Sequence, residues 1–341
     1  MNDTPGNVAT IFDVAREAGV SYGTVSRVLN NRDHVKPETR AAVMQAVDRL
    51  GFVANQQARS LAGGRSQVIG LLLHGLNTGY SDEILRGIDT ELEAANYDLM
   101  LYTTHRRKLK ESAYVGTITR GMADGLLLVL PRNSPAYLDS LRTREFPYIL
   151  IDHQGRGGTE RSVGAANRQG GYDATQYLIG LGHRRIGFVT GTLDLACATD
   201  RLGGYRRALD DNGISFDPQL VFPGDFLQPS GFIAGRALLS LPQPPTAVFS
   251  SNDVMAFGIM EAARDRGLSI PGDLSIIGFD DIAQASLVYP QLTTIRQPLE
   301  EMGRVATRML LELIADPQAD VRSVTLPTSL VVRGSCLPLR T

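Results

Sequence analysis

The residues best placed to do chemistry in this 341-residue chain fall into two groups. The first is residues 14–30, VAREAGVSYGTVSRVLN. Two helix-forming runs flank a glycine turn, and Ser21 is placed to cap the second run. Tyr22 and Gly23 would be its first exposed residues, with Arg27 one turn later. A helix started this way can enter the major groove of DNA, where a guanidinium donates two hydrogen bonds to guanine O6 and N7. Thr24, Ser26 and the helix N-terminus suit phosphate oxygens. Thr10, which can cap the first run, Ser21 and Asn30 complete the candidate DNA contacts here. A three-helix bundle with no DNA role has the same local pattern.

The second group lies just past strand-like runs. His74 and Tyr80 follow VIGLLL, Asp152-His153 end YILID, and Arg201 comes after RIGFVTG. Asn252-Asp253 follow TAVFSS, and Asp280-Asp281 follow LSIIGF. In open parallel sheets, ligands bind beyond the carboxyl ends of the strands. Carboxylates, an amide, an arginine and one aromatic face supply the acceptors, donors and stacking surface that a polyol needs. Plainer readings stand beside this one. Asn252 and Asp253 can cap a helix from about 254, Asp280-Asp281 can form a turn, and Arg201 can make a surface ion pair.

The elements that must position these groups follow from periodicity. Apolar residues at 11, 14, 15 and 18 predict a helix ended by Gly19, and a second helix runs to about Leu29. Pro37 opens a third, with Ala42, Val43, Ala46, Val47 and Leu50 on one face. Residues 53–66 are polar, end in Gly63-Gly64 before Arg65-Ser66, and read as a linker that becomes helical only in context. From Gln67 onward, strand runs at 68–73, 97–102, 124–130, 148–152, 185–191, 246–251 and 274–280 alternate with helix-length segments. Such alternation predicts parallel sheets covered on both faces, here two doubly wound lobes. A helix at about 298–314 and late strands at about 321–326 and 329–333 let the chain cross back between the lobes.

Composition narrows the function classes. Charged residues are 21% and hydrophobic residues 43%, which is ordinary globular composition. Residues 1–66 carry eight Lys/Arg against six Asp/Glu, a small excess that puts any nucleic-acid contact at the front. No apolar run reaches the ~18 residues of a membrane helix. The N-terminus has no secretory pattern, so the cytoplasm is expected. Cys197 and Cys336 and the five histidines show no metal spacing, and no P-loop or G-x-G-x-x-G occurs. No metal, no cofactor and no enzyme activity are expected. The basic run 105–110 follows a strand and reads as a solvated helix start.

Taken together, TIFDVAREAGVSYGTVSRVLNN, VKPETRAAVMQAVDRLGFVANQQARSLAGGRSQVIGLL, LIGLGHRRIGFVTG, RLGGYRRAL, FSSNDVMAFGIMEAARDRGLSIPGDLSIIGFDDI and PQLTTIRQP resemble the lactose/galactose-repressor (LacI/GalR) family of bacterial transcription factors. The resemblance spans about residues 10–333. It implies a disordered tail (1–7), a helix-turn-helix domain (8–52) and a hinge helix with linker (53–66). An effector-binding and dimerisation core (67–341) of periplasmic-binding-protein-like fold follows. Its lobe one is about 67–166 and 297–327, and its lobe two about 167–296 and 328–341. Tyr22, Gly23 and Arg27 fall at the base-reading positions. Gly23 has no side chain to read with, so either Tyr22 and DNA shape carry more of the specificity, or Gly23 only relaxes the helix start. Asn55, Ala58, Arg59 and Leu61 fall on the hinge helix, with Leu61 at the leucine that wedges into the minor groove; such wedging favours a central CpG. Arg201, Asn252 and Asp280 match effector positions most directly, joined by His74, Tyr80 and Asp152. Tyr80 stands where the family commonly has phenylalanine in Asn-Pro-Phe-Phe, here Asn77-Thr78-Gly79-Tyr80.

The resemblance therefore implies a sequence-specific transcriptional regulator, usually a repressor. It would act as a homodimer on pseudo-palindromic operator DNA under control of a small effector, a carbohydrate by preference, with a purine or amino-metabolite as alternative. With no heptad repeat after the last strand, a dimer is expected. A transporter's sugar-binding protein and a nucleotide-dependent sugar oxidoreductase are the competing readings. The first lacks a reason for residues 14–30, and the second lacks a cofactor fingerprint.

Overall fold

The computed structural model describes residues 9–29, 35–52, 65–76, 79–105, 107, 109–132, 135–153 and 160–339. The chain forms two compact units, Met1–Ser66 and Gln67–Thr341.

In the first unit, α1 is Ile11–Glu17, α2 Tyr22–Leu29 and α3 Pro37–Leu50. Thr10 and Asp13 close a capping box at the start of α1, satisfying donors the helix itself leaves orphaned. Gly19 turns the chain at φ +64, where a side chain would be strained. Ser21 caps α2 by accepting from the Thr24 N–H at 3.2 Å. Val14, Ala15, Val25, Val28, Val43 and Ala46 pack into one small core, which fixes α2 by its inner face and leaves Ser21, Tyr22 and Arg27 exposed.

The second unit begins β1 (Val68–Leu73), α4 (Tyr80–Ala95), β2 (Asp98–Thr103), α5 (Leu109–Ile118), β3 (Gly125–Val129), α6 (Pro135–Thr143), β4 (Tyr148–Ile151) and β5 (Ser162–Ala165). It continues α7 (Asn167–Gly180), β6 (Ile186–Val189), α8 (Ala196–Asp211), β7 (Val221–Phe222), α9 (Gln228–Leu239), β8 (Ala247–Ser250), α10 (Asp253–Asp265), β9 (Ser275–Asp280) and β10 (Thr293–Arg296). It ends with α11 (Leu299–Ala315), β11 (Val324–Leu326) and β12 (Ser329–Val331). One sheet has the order β11-β5-β4-β3-β1-β2 and the other β12-β10-β9-β8-β6-β7. Each is a doubly wound sheet whose order reverses at its first strand, with an outer strand supplied by the returning chain. Among the described residues the strand pairings are parallel except β10 with β12, which is antiparallel. Strands β1, β3, β4, β6, β8 and β9 are buried throughout, which is why they read as unbroken apolar runs. Helix α11 packs on the first sheet through Met302, Ala306, Leu310 and Leu313.

Two differences from the periodicity have physical reasons. Strands β5 and β10 carry Ser162, Gly164, Thr293 and Thr294, so they lack the apolar run that marks the others. Helix α8 begins at Ala196 with no side-chain cap, so no local signal marks its start ahead of Arg201. Arg201 therefore sits in the second turn of α8, and it is buried at 2% exposure, not at a surface ion pair.

Helices α7 and α8 approach through glycines. A Cβ on Gly171 would stand 2.5 Å from the Arg201 carbonyl oxygen, and one on Gly204 would stand 2.2 Å from that of Arg168. Backbone cannot yield as a side-chain tip can, so the helices must separate. Gly171→Ala is expected to cost about 1–3 kcal/mol and to shift Arg201 with its helix. An unchanged urea midpoint would contradict this packing account.

Candidate functional site

The strands of both sheets deliver polar residues from their carboxyl ends into one cleft of about 660 Å³, open mouth included. That is within the ~300–1,000 Å³ of small-molecule sites. All six residues singled out for an effector, His74, Tyr80, Asp152, Arg201, Asn252 and Asp280, line it. Asp152 and Asp280 both hold positive φ, +53 and +117. This conformation turns each carboxylate out of its strand end, and aspartate tolerates it better than most residues.

A hydrogen-bond chain crosses the cleft. The Tyr80 hydroxyl donates to Asp152 Oδ2 at 2.9 Å, and Asn167 Nδ2 donates to Asp152 Oδ1 at 3.2 Å. Arg201 Nε donates to Asn167 Oδ1 at 2.8 Å, and its Nη1 donates to the Ser251 carbonyl at 2.5 Å. The same Nη1 lies 3.6 Å from Asp280 Oδ1, which also accepts from Gln297 Nε2 at 2.7 Å. The guanidinium carbon lies 3.8 Å from the Phe279 ring centroid, a cation–π contact that completes its cage. Residues of the first sheet's lobe are thus linked through Asn167 to residues of the second.

The remaining candidates have structural partners too. Asn252 caps α10, its Oδ1 accepting from the Met255 N–H at 2.9 Å, and its Nδ2 donates to the Phe226 carbonyl at 3.2 Å. His74 donates from Nε2 to the Leu130 carbonyl, and in the neutral ring Nδ1 accepts from the Thr104 hydroxyl at 3.1 Å. Asp253 and Asp281 face elsewhere. Asp253 accepts from the Thr294 hydroxyl at 2.5 Å and the Ile282 N–H at 3.0 Å, and Asp281 pairs with Arg296 and Arg333.

Burial pushes the Asp280 carboxyl up to about 7, against the lowering by Arg201 and Gln297, and Asp152 adds to the rise. Burial works against the Arg201 guanidinium, yet the carboxylates of Asp280 and Asp152 help hold it above its ordinary value. Linkage gives the sign of the consequence. An acid raised on folding contributes stability that is complete below its ordinary value of 3.8 and is lost as pH rises through about 7. Asp280→Asn has no such dependence. Its urea midpoint should therefore gain on that of the unchanged chain between about pH 5 and about pH 8. A constant difference across that range would contradict the buried-carboxylate account.

Sequence reasoning missed Asn167, Gln297, Phe226 and Arg132. Arg132 and Phe226 also line the cleft, and Asn167 and Gln297 bond the residues that do. Asn167 and Gln297 stand where the chain passes from one sheet to the other, a position that could have drawn attention to them.

In the first unit, Tyr22 stacks on Phe12 with centroids 5.3 Å apart and planes at 21°, both rings being exposed. The stack holds Tyr22 at the start of α2. Arg27 Nε donates to the Gly23 carbonyl at 3.1 Å, laying the guanidinium along the same edge. A Cβ at Gly23 would lie 3.9 Å from the Arg27 terminal nitrogen, so the missing side chain leaves room that Arg27 borders. Thr10, Ser21 and Thr24 are engaged in capping bonds, and Ser26 is half-buried. Asn30, Asn55, Ala58, Arg59 and Leu61 lie outside the described residues, as does the tail 1–7. Among the described residues no three His, Cys, Asp or Glu side chains form a metal cluster, and no helix is long and apolar enough to cross a membrane.

Residues 10–55 match the profile of the bacterial regulatory proteins, lacI family, and residues 175–336 match the periplasmic binding protein-like domain. The catabolite control protein A of Priestia megaterium is 34% identical over 327 residues, covering 96% of this chain and 98% of that protein. The HTH-type transcriptional repressor PurR of Proteus mirabilis is 37% identical over 331 residues, covering 96% and 97%. This chain belongs to the LacI family of bacterial regulatory proteins. Among solved structures, the lac repressor dimer bound to operator and an anti-inducer superposes with a TM-score of 0.85 at 30% identity, over 97% of this chain and 100% of that one. The transcriptional regulator CelR in complex with cellobiose superposes at 0.74 with 33% identity, over 96% and 99%. As a LacI-family member, the chain is a DNA-binding transcriptional regulator whose DNA affinity is set by a small-molecule effector.

Proposed function

We propose that the chain is a cytoplasmic repressor without catalytic activity. It acts as a homodimer on a pseudo-palindromic operator and is controlled by a carbohydrate bound in the cleft between its lobes. One observation carries the effector half of this reading: six residues spread along the chain from His74 to Asp280 meet around one cleft, and a chain of hydrogen bonds crosses it. A polyol entering there has Tyr80 and Phe226 for stacking and Asp152, Arg201, Asn252 and Asp280 for its hydroxyls. It must rearrange bonds that tie one lobe to the other, so occupancy and lobe arrangement are linked, with coupling of typically ~1–3 kcal/mol.

At the DNA, Tyr22 and Arg27 read base edges, while Thr10, Ser21, Gly23, Thr24, Ser26 and Asn30 contact the backbone or let it approach closely. Asn55, Ala58 and Arg59 dock the hinge helix in the minor groove, and Leu61 wedges the central step. Leu61→Ala should then weaken operator binding while sparing non-specific duplex binding, because unstacking one step serves only the bent complex. Equal loss on both duplexes would refute the wedge.

The test of the reading as a whole is duplex binding against salt. A regulator that neutralises phosphates loses affinity linearly in log K against log salt. A binding protein or an enzyme with the same core shows no salt-dependent duplex binding.

A further inference from the structure

The Phe12 ring takes no part in the core of the first unit. It lies in the first turn of α1, where Val14 and Ala15 are buried but Phe12 is 63% exposed. Phe52, the other phenylalanine of this unit, packs against that core. Among the described residues the ring contact of Phe12 is with Tyr22, at 5.3 Å between centroids and 21° between planes. Tyr22 is itself 45% exposed. Two stacked, exposed rings therefore stand where α1 meets the start of α2, on the edge that carries Ser21, Tyr22 and Arg27. Next along α2, Gly23 has no side chain, and a Cβ there would find Arg27 and Ser21 atoms no nearer than 3.9 Å. A base edge can come close to the backbone beside the ring pair.

A phenyl ring has neither a hydrogen-bond donor nor an acceptor. It cannot hold a phosphate oxygen, and it cannot match the amines and carbonyls of a base edge. The major groove, which a recognition helix enters, offers it one apolar group, the C5 methyl of thymine. Contact between the two removes apolar surface of both from water. Tyr22 differs, because its hydroxyl can bond to a base or to water while its ring stays stacked.

We propose that each operator half-site carries a thymine whose methyl group rests on the open face of Phe12, so that α1 contributes a base-reading residue alongside Tyr22 and Arg27 of α2. The surface is continuous with the DNA-reading edge, and the operator is its occupant. Tyr22 covers one face of Phe12 and leaves the other for the methyl. This inference rests on the reading of α2 as the base-reading helix and adds one residue and one base to it.

The experiment uses the duplex that the full chain selects from a random pool. Each thymine is replaced in turn by deoxyuridine, which removes the methyl and no hydrogen-bonding group. One thymine per half-site should prove sensitive, losing about fourfold in affinity, the worth of one buried carbon. Replacing it in both half-sites should cost about fifteenfold, since distant sites add. Phe12→Ala should bind the thymine and deoxyuridine duplexes equally, and Phe12→Leu, still apolar, should keep part of the preference. Tyr22→Phe keeps the stack and should keep the methyl preference whole. The capping box of Thr10 and Asp13 and the buried face of α1 lie outside the Phe12 substitution, and circular dichroism checks that each variant is folded. The absence of any methyl-sensitive thymine would overturn the proposal. So would a loss on Phe12→Ala of the same size on both duplexes, which would make Phe12 a support for Tyr22 or a contact to the sugar. Arg27→Ala on single-base variants of the same duplex separates the two levels. If it relaxes no base, the reading of α2 falls; if it relaxes one while deoxyuridine has no effect, only this inference falls.

Discussion

Arg201→Ala is expected to cost the second unit about 3–5 kcal/mol and to abolish the effector response, because it removes one partner of a buried ion pair. The side chain is 2% exposed and engages Asn167, Ser251, Asp280 and the face of Phe279 at once. Truncation leaves Asn167 Oδ1 and the Ser251 carbonyl without their donor. It also removes the cation beside Asp280. That carboxyl, already raised to about 7, would take a proton over a wider pH range, so the loss should be larger at alkaline than at mildly acidic pH. Urea unfolding at two pH values measures the first effect, and effector titration of operator affinity the second. Arg201→Lys keeps the charge but not the planar fork, and should recover stability more than response. A variant with an unchanged midpoint and a normal effector response would remove Arg201 from the centre of the site.

Arg27→Ala should lower affinity for the selected operator by about 1–3 kcal/mol, roughly five- to 150-fold, while leaving binding to unrelated duplex nearly unchanged. The side chain is exposed on α2, and among the described residues its hydrogen bond goes to the Gly23 carbonyl, so the helix-turn-helix should keep its fold. The loss should be confined to sequences that carry the base it reads, and selection on the variant should relax that position. The contrast with Tyr22 is informative. Tyr22 is stacked on Phe12, so its substitution disturbs two exposed rings, whereas Arg27 can be removed alone. Equal losses on operator and random duplex would make Arg27 a phosphate contact and move base reading elsewhere.

Much of this was legible in the residues, and the part that was not has a common cause. The helix-turn-helix is encoded locally. Gly19 makes the turn, Thr10 and Ser21 cap, and Val14, Val25 and Val28 point to one core. The central strands are doubly buried, so they show as apolar runs, and the strand-end rule led directly to residues that share one cleft. Asn167 and Gln297 are different. Each follows a short strand, β5 or β10, that owes its place to the chain crossing between sheets, and no local pattern marks either residue. Their partners are 15 to 34 positions away, so only the tertiary fold reveals them. Arg201 was picked out by position, but its depth was not, because the uncapped start of α8 gave no signal. Arg132 was missed because an arginine after a strand is ordinary. Only the tertiary fold, which sets a buried carboxylate behind its backbone and leaves its buried Nε without a hydrogen-bond partner, sets it apart.

The most direct test of the central claim is selection of duplex DNA from a random pool by the purified chain, repeated with a panel of neutral and acidic sugars. The account predicts a pseudo-palindrome with a central pyrimidine–purine step, whose recovery changes with one class of sugar. Failure to enrich any sequence while sugar binding persists would contradict it, and would leave a two-lobed binding protein whose front unit does not read DNA.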